Sequence, residues 1–143
     1  MTSIQINKIK GALSNGLTTS RATEFWNSFD WKYVDQWVIK LQTLIFQATL
    51  KGDNKKAQRL LRTLQESWEA RIIAIRKVTE RAKGRGTPGV DGVASLSDKQ
   101  KLELLFKTDL DARPRSARSC QIPKGDGNTR ELGIPTIRDR VLQ

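Results

Sequence analysis

Between Asp30 and Lys51 the apolar residues fall on one side of a helix. Val34, Trp37, Val38, Leu41, Leu44, Ile45 and Ala48 recur at three- and four-residue intervals, the spacing of a single stripe with a 3.6-residue period. Asp30 precedes the stripe as an N-cap, and Gly52 follows it where a left-handed residue suits a helix end. Asp53 then offers a cap to a second helix. Its stripe of Ala57, Leu60, Leu61, Leu64, Trp68, Ile72, Ile75 and Val78 runs to about Ala82. So short a connection makes the two helices antiparallel neighbours, and their facing stripes are most simply each other's core. Trp37 and Trp68 lie in these stripes and read as packing residues rather than as platforms for stacked bases.

The flanks are patterned differently. Residues 1–29 carry a turn signal at Asn15-Gly16 and possible caps at Thr18, Thr19 and Ser20 ahead of Phe25 and Trp26, but no sustained periodicity; they read as a partly ordered leader. The run KGRGTPGVDGV, residues 83–93, ends the second helix with four glycines around Pro88. Ser97 opens a short helix with Leu102, Leu105 and Phe106 on its apolar side. Residues 116–124 and 129–134 read as two short strands about the turn Gly125-Asp126-Gly127-Asn128. Pro123 and Pro135 limit that pairing. Thr136, with Asp139 three residues on, begins a last helix as a capping box does. The expectation is a mainly α protein with a small β-hairpin (α+β): a leader over 1–29, an antiparallel helical hairpin over 30–82, and a Gly-rich loop, short helix and strand pair over 83–143.

Charge turns this layout towards a partner. The 143 residues hold 26 Lys and Arg against 15 Asp and Glu, a formal net charge of +11. Such an excess favours a polyanion, nucleic acid first and an anionic membrane surface second. No apolar run reaches the length of a membrane span, and the N-terminus lacks the apolar core of a secretory signal. Cys120 is the one cysteine, so no internal disulfide forms and a reducing, cytoplasmic compartment fits. Histidine is absent, which excludes Ser-His and Cys-His catalysis and the commonest zinc ligand.

The basic residues crowd the second helix and its exit. Lys55, Lys56, Arg59, Arg62, Arg71, Arg76, Lys77, Arg81, Lys83 and Arg85 are balanced only in part by Glu66, Glu69 and Glu80. One sign dominates and the run continues into the next loop, which favours a phosphate-facing surface over an ordinary solvated face. The Gly-rich loop is no P-loop, since no Gly-Lys-Ser/Thr ends it. Asp91 suits a turn better than a metal. Asp109 and Asp111 form a carboxylate pair of the kind that holds Mg²⁺, with nothing nearby to complete a ligand set; a nuclease reading has only these two residues behind it. Arg138 and Arg140 stand in the first turn of the last helix, where acidic residues suit the dipole better, and this points to an external anion.

Two blocks carry a resemblance. SWEARIIAIRKVTERAKGRGTPGVDGV, followed by IPKGDGNTRELGIPTIRDRVLQ, resembles the start of a group II intron-encoded reverse transcriptase, or maturase. The likeness runs from about Trp31 to Gln143. The first block is similar to the family's N-terminal extension motif, the second to the first polymerase block of the fingers. The resemblance implies that Lys124 and Arg130 contact an incoming deoxynucleoside triphosphate. It implies that the loop Thr87, Pro88, Gly89, Val90, Asp91 and Gly92 lies against the template, and that Ile134 to Gln143, with Arg138 and Arg140, lines the template path. The leading helices, with Arg59, Arg62, Arg76, Lys77, Arg81, Lys83 and Arg85, would bind structured intron RNA.

The same resemblance implies Mg²⁺ and dNTP as cofactors of the full-length family, intron splicing and retrohoming as its activities, and a bacterial or organellar setting. Two positions depart from the family pattern: Gln121 stands where an aromatic residue is usual, and Glu131 where a proline is usual. No Tyr/Phe-x-Asp-Asp occurs in the sequence. Phosphoryl transfer needs carboxylate-held metal, so the chain is expected not to polymerise DNA unaided. A missing palm domain is then one candidate partner. The alternative reading is a stand-alone, non-enzymatic protein, derived from a maturase, that binds a protein assembly.

Overall fold

A computed structural model describes residues 3–107 and 109–143. Helices α1 (Ser3–Ser14) and α2 (Thr19–Asn27) lead into α3 (Trp31–Leu50) and α4 (Asn54–Glu66). Helix α5 (Trp68–Arg76) runs on as a π-turn, Lys77–Arg81, and α6 spans Asp98–Lys107. Strands β1 (Arg118–Pro123) and β2 (Thr129–Ile134) form an antiparallel hairpin, and α7 (Ile137–Leu142) follows. The mainly α character and the single hairpin are as the pattern predicts.

Local caps account for most element ends. Asp30 accepts from the Tyr33 amide at 3.0 Å and Asp53 from the Lys56 amide at 3.1 Å, each satisfying a donor at its helix start. Gly52, at φ +73°, makes the turn between α3 and α4. Ser97 and Gln100 form a reciprocal box: Ser97 Oγ accepts from the Gln100 amide and Gln100 Oε1 from the Ser97 amide.

Three expectations are corrected. The stretch expected as a partly ordered leader folds as α1 and α2, and Ile9, Leu17, Ala22, Trp26 and Phe29 from it are buried in the core; Met1 and Thr2 lie outside the described residues. Ile6, Ala12 and Leu13 of α1 and Phe25 of α2 pack against the same cluster while only partly buried. Second, the long helix to Ala82 breaks at Ser67. The Ser67 hydroxyl donates to the Leu64 carbonyl at 2.7 Å, closing α4, and accepts from the Ala70 amide at 3.2 Å, opening α5. Third, the facing stripes of α3 and α4 are not the main core. No residue of α4 is buried, and the principal cluster gathers Val34, Ile72, Ile75, Leu102, Leu105 and Val141 around the residues of α1 and α2. Trp68 packs against that cluster, its ring centroid 6.3 Å from that of Phe29, while Trp37 on α3 is half-buried.

Candidate nucleic-acid interface

Glu80, on the π-turn, ties the helical core together. Its Oε1 accepts from Trp26 Nε1 at 2.9 Å and from Lys101 Nζ at 2.8 Å, and its Oε2 lies 3.5 Å from Arg76 Nε. Lys101, buried, also donates to Asp98 at 3.2 Å and stands 4.9 Å from the Trp26 ring centroid. The Arg76 guanidinium stacks 4.2 Å over the Trp31 ring. Burial pushes the Glu80 carboxyl up, but the Lys101 and Trp26 hydrogen bonds and the Lys101 and Arg76 charges outweigh it and hold the group below its ordinary value. Periodicity makes the Arg76–Glu80 pair legible as i, i+4; the Lys101 contact spans 21 residues and leaves no mark in the sequence.

The Gly-rich loop is held against the hairpin end of the molecule. Arg140 donates to the carbonyls of Gly84, Thr87 and Pro135, Arg118 donates to that of Pro88 at 2.9 Å, and Arg115 sits 3.9 Å from Asp91. Gly89 is buried here. A Cβ on it would lie 2.8 Å from the Thr136 Cα and nitrogen, so only glycine lets the two backbones meet. Asp91 accepts from the Val93 amide at 3.2 Å, a turn role, and Gly92 takes φ +73°. Val90 is 54% exposed at the loop tip.

The external anion inferred from Arg138 and Arg140 is not needed to account for them. Arg138 bonds Asp139 Oδ1 and the Arg113 carbonyl, and Arg140 serves the loop carbonyls. Asp139 is the acid of the first turn. It is buried, and its Oδ2 accepts from the Arg115 amide at 2.8 Å. Desolvation would raise its carboxyl, yet the Arg115, Arg138 and Thr136 bonds hold it below the ordinary value. Thr136 Oγ1 accepts from the Asp139 amide at 3.3 Å, one half of the expected capping box. The other half is replaced by the bond to Arg115. Gln143 continues α7 through a bond from its amide to the Asp139 carbonyl.

The remaining sequence candidates are exposed. Arg130 faces Ile122 across the hairpin, and Lys124 follows Pro123 at the turn; among the described residues neither has a carboxylate within ion-pair distance. Gln121 and Glu131, the two departures from the family pattern, are opposed to each other. They occupy the face away from Ile122 and Arg130, and Ser119 donates to Glu131 there. Arg62 pairs with Glu66 at 2.9 Å on exposed α4. Arg59, Lys77, Arg81, Lys83 and Arg85 have no such partner among the described residues. Among the described residues no group of three or more His, Cys, Asp or Glu side chains is arranged to hold a metal ion; Asp109 instead accepts from the Asp111 amide at 3.0 Å. No described helix is long and apolar enough to cross a membrane.

Residues 26–107 match the family model for the N-terminal domain of reverse transcriptase. The chain is 40% identical over 95 residues to Protein YkfC of Escherichia coli (strain K12), covering 62% of this chain and 24% of that one. It is 30% identical over 122 residues to Maturase-like protein 1 of Euglena gracilis, covering 83% and 27%. To Maturase-like protein 1 of Euglena longa it is 31% identical over 120 residues, covering 82% and 26%. The chain thus spans about a quarter of the length of these relatives.

Proposed function

Because the chain belongs to the family defined by the N-terminal domain of reverse transcriptase, we propose that it binds RNA, structured intron RNA above all, as the N-terminal and fingers part of a maturase-type polymerase. One observation carries this reading. Among the described residues, six of the fifteen carboxylates form ion pairs within the protein: Glu80, Asp91, Asp98 and Asp139 within the fold, and Glu66 and Glu103 along their own helices. The cations Arg59, Lys77, Arg81, Lys83 and Arg85 are left without acidic partners among the described residues. With a net charge of +11, these side chains are available to meet phosphate.

Within this reading, the exposed pair Lys124 and Arg130 serves the triphosphate of an incoming nucleotide. Two cations beside a tight turn suit that charge. The loop Thr87–Gly92 presents its tip to the template. Splicing and retrohoming belong to the whole polymerase. The test is a titration of a labelled structured transcript. Saturable binding at moderate salt supports the proposal; an affinity no better than that of an unrelated basic protein contradicts it. The K124A/R130A double variant should keep its RNA affinity if those residues serve the nucleotide.

One observation favours a second reading, a protein-binding role. Ile39, Phe46 and Leu50 on α3 are 59%, 63% and 71% exposed, and Leu61 on α4 is 44% exposed. Capture from lysate with and without nuclease separates the readings: partners lost on nuclease treatment favour RNA, and partners retained favour protein.

A further inference from the structure

The π-turn does more than end α5. Arg76, Lys77 and Arg81 line one cleft of about 270 Å³ together with Asp35 of α3, Ile73 and Ala82. The three cations differ in freedom. Arg76 is fixed from two sides, by the Trp31 ring beneath its guanidinium and by Glu80 at its Nε. Lys77 and Arg81 are exposed and have no carboxylate within ion-pair distance among the described residues. Asp35 is the one acid lining the cleft, and it too forms no ion pair with a described residue.

A cleft walled by three cations and one carboxylate holds a net positive charge. The apolar side chains of Ile73 and Ala82 on its wall lower the screening of that charge. The π-turn is the device that assembles it. The wider register ends with the Ala82 amide donating to the Lys77 carbonyl at 2.8 Å, five residues back. Pre-setting Arg76 against Trp31 removes part of the ordering cost of gripping an anion.

We propose that this cleft clamps a single backbone phosphate of bound RNA, with Arg76 as a fixed wall and Lys77 and Arg81 as closing arms. The proposal rests on the RNA reading above and adds to it one defined phosphate site, whose lining ends at Ala82, just before the Gly-rich loop. The phosphate belongs to a diester in the chain of a nucleic acid rather than to a small free anion. Two features support that choice: the chain leaves the cleft at Ala82 into the exposed cations Lys83 and Arg85, which have no ion-pair partner among the described residues, and Asp35 lowers the affinity for a doubly charged free phosphate more than for a singly charged diester.

The experiment uses the full chain and a labelled uridine 20-mer, with affinity measured across a salt series. K77Q/R81Q should bind about tenfold more weakly at moderate salt, the loss of charge-assisted contacts to one phosphate. Its log K against log salt should be flatter by about 0.7, the single-strand increment for one phosphate. K8Q/K10Q on α1 removes the same charge elsewhere and should change the slope little. D35N should tighten binding by about two- to fivefold, a gain that misfolding cannot imitate, whereas E24Q on α2 should not. Replacing chloride by inorganic phosphate at constant ionic strength should displace no additional RNA. If the wild-type chain binds the 20-mer but K77Q/R81Q and D35N match it, the clamp is wrong while the RNA reading stands. If phosphate competes specifically, the cleft is a small-anion site and the diester assignment falls. If the wild-type chain does not bind the 20-mer the clamp falls, and if it does not bind the structured transcript either, the RNA reading falls with it.

Discussion

A methyl group at Gly89 would collide with backbone, not with a flexible side chain. Its Cβ would lie 2.8 Å from Thr136 Cα, and neither segment can yield without moving the start of α7. Gly89→Ala should therefore destabilise the protein by about 1–3 kcal/mol, read as a lower midpoint in urea; an unchanged midpoint would refute the close contact. Titration supplies a second residue-level test. Glu80 and Asp139 have carboxyls held below their ordinary values of 4.5 and 3.8. Their folded forms favour the charged state. This contribution is complete above the unfolded value and is lost as pH falls through the lower folded value. Thermal stability should hold from pH 7 to about 5 and drop below about 4, and Glu80→Gln should flatten that acid limb. Glu69 has the opposite sign: burial raises its carboxyl, so it favours folding below its unfolded value and opposes it above. Glu69→Gln should raise the melting temperature at neutral pH. At this scale the sequence is legible where partners are close in the chain. Asp30, Asp53, Ser97 and Thr136 cap within three residues, and the type of side chain announces the role. Glu80, Lys101 and Arg115 find partners more than twenty positions away, and no local rule points to them.

Among the elements, the α4–α5 junction shows how a periodic stripe can run through a break. Leu64, Trp68, Ile72 and Ile75 keep helical spacing across Ser67, so the apolar pattern alone extends the helix. The competing signal is Ser67 itself, whose hydroxyl caps better than it continues a helix. Ser67→Ala should cost about 1 kcal/mol, measurable by chemical denaturation, and no loss would show the junction to be held by packing alone. The hairpin was readable from its turn chemistry: the strand expected over 116–124 forms over Arg118–Pro123, and that expected over 129–134 over Thr129–Ile134. What the sequence did not reveal is its anchorage. An isolated two-stranded hairpin is marginal in water, and here Arg118, through the Pro88 carbonyl, fastens it to the loop. The pairing of Gln121 with Glu131 also puts both family departures on one face, opposite Arg130, so the acidic side chain does not sit over the cation proposed for nucleotide.

Over the whole molecule, the matched family segment is not a free-standing layer. Residues 26–107 supply Ile72, Ile75, Leu102 and Leu105, while Ile9, Leu17 and Ala22 before it and Val141 after it complete the same cluster. Removing residues 1–29 would expose that cluster and should abolish cooperative unfolding. The net charge was visible at once; its distribution was not, because it depends on which carboxylates the fold engages. If the free cations meet phosphate, RNA affinity must depend steeply on salt. With about five phosphates contacted on a single strand, log K should fall against log salt with a slope of about −3.5. A slope near zero across a tenfold range of salt would contradict it.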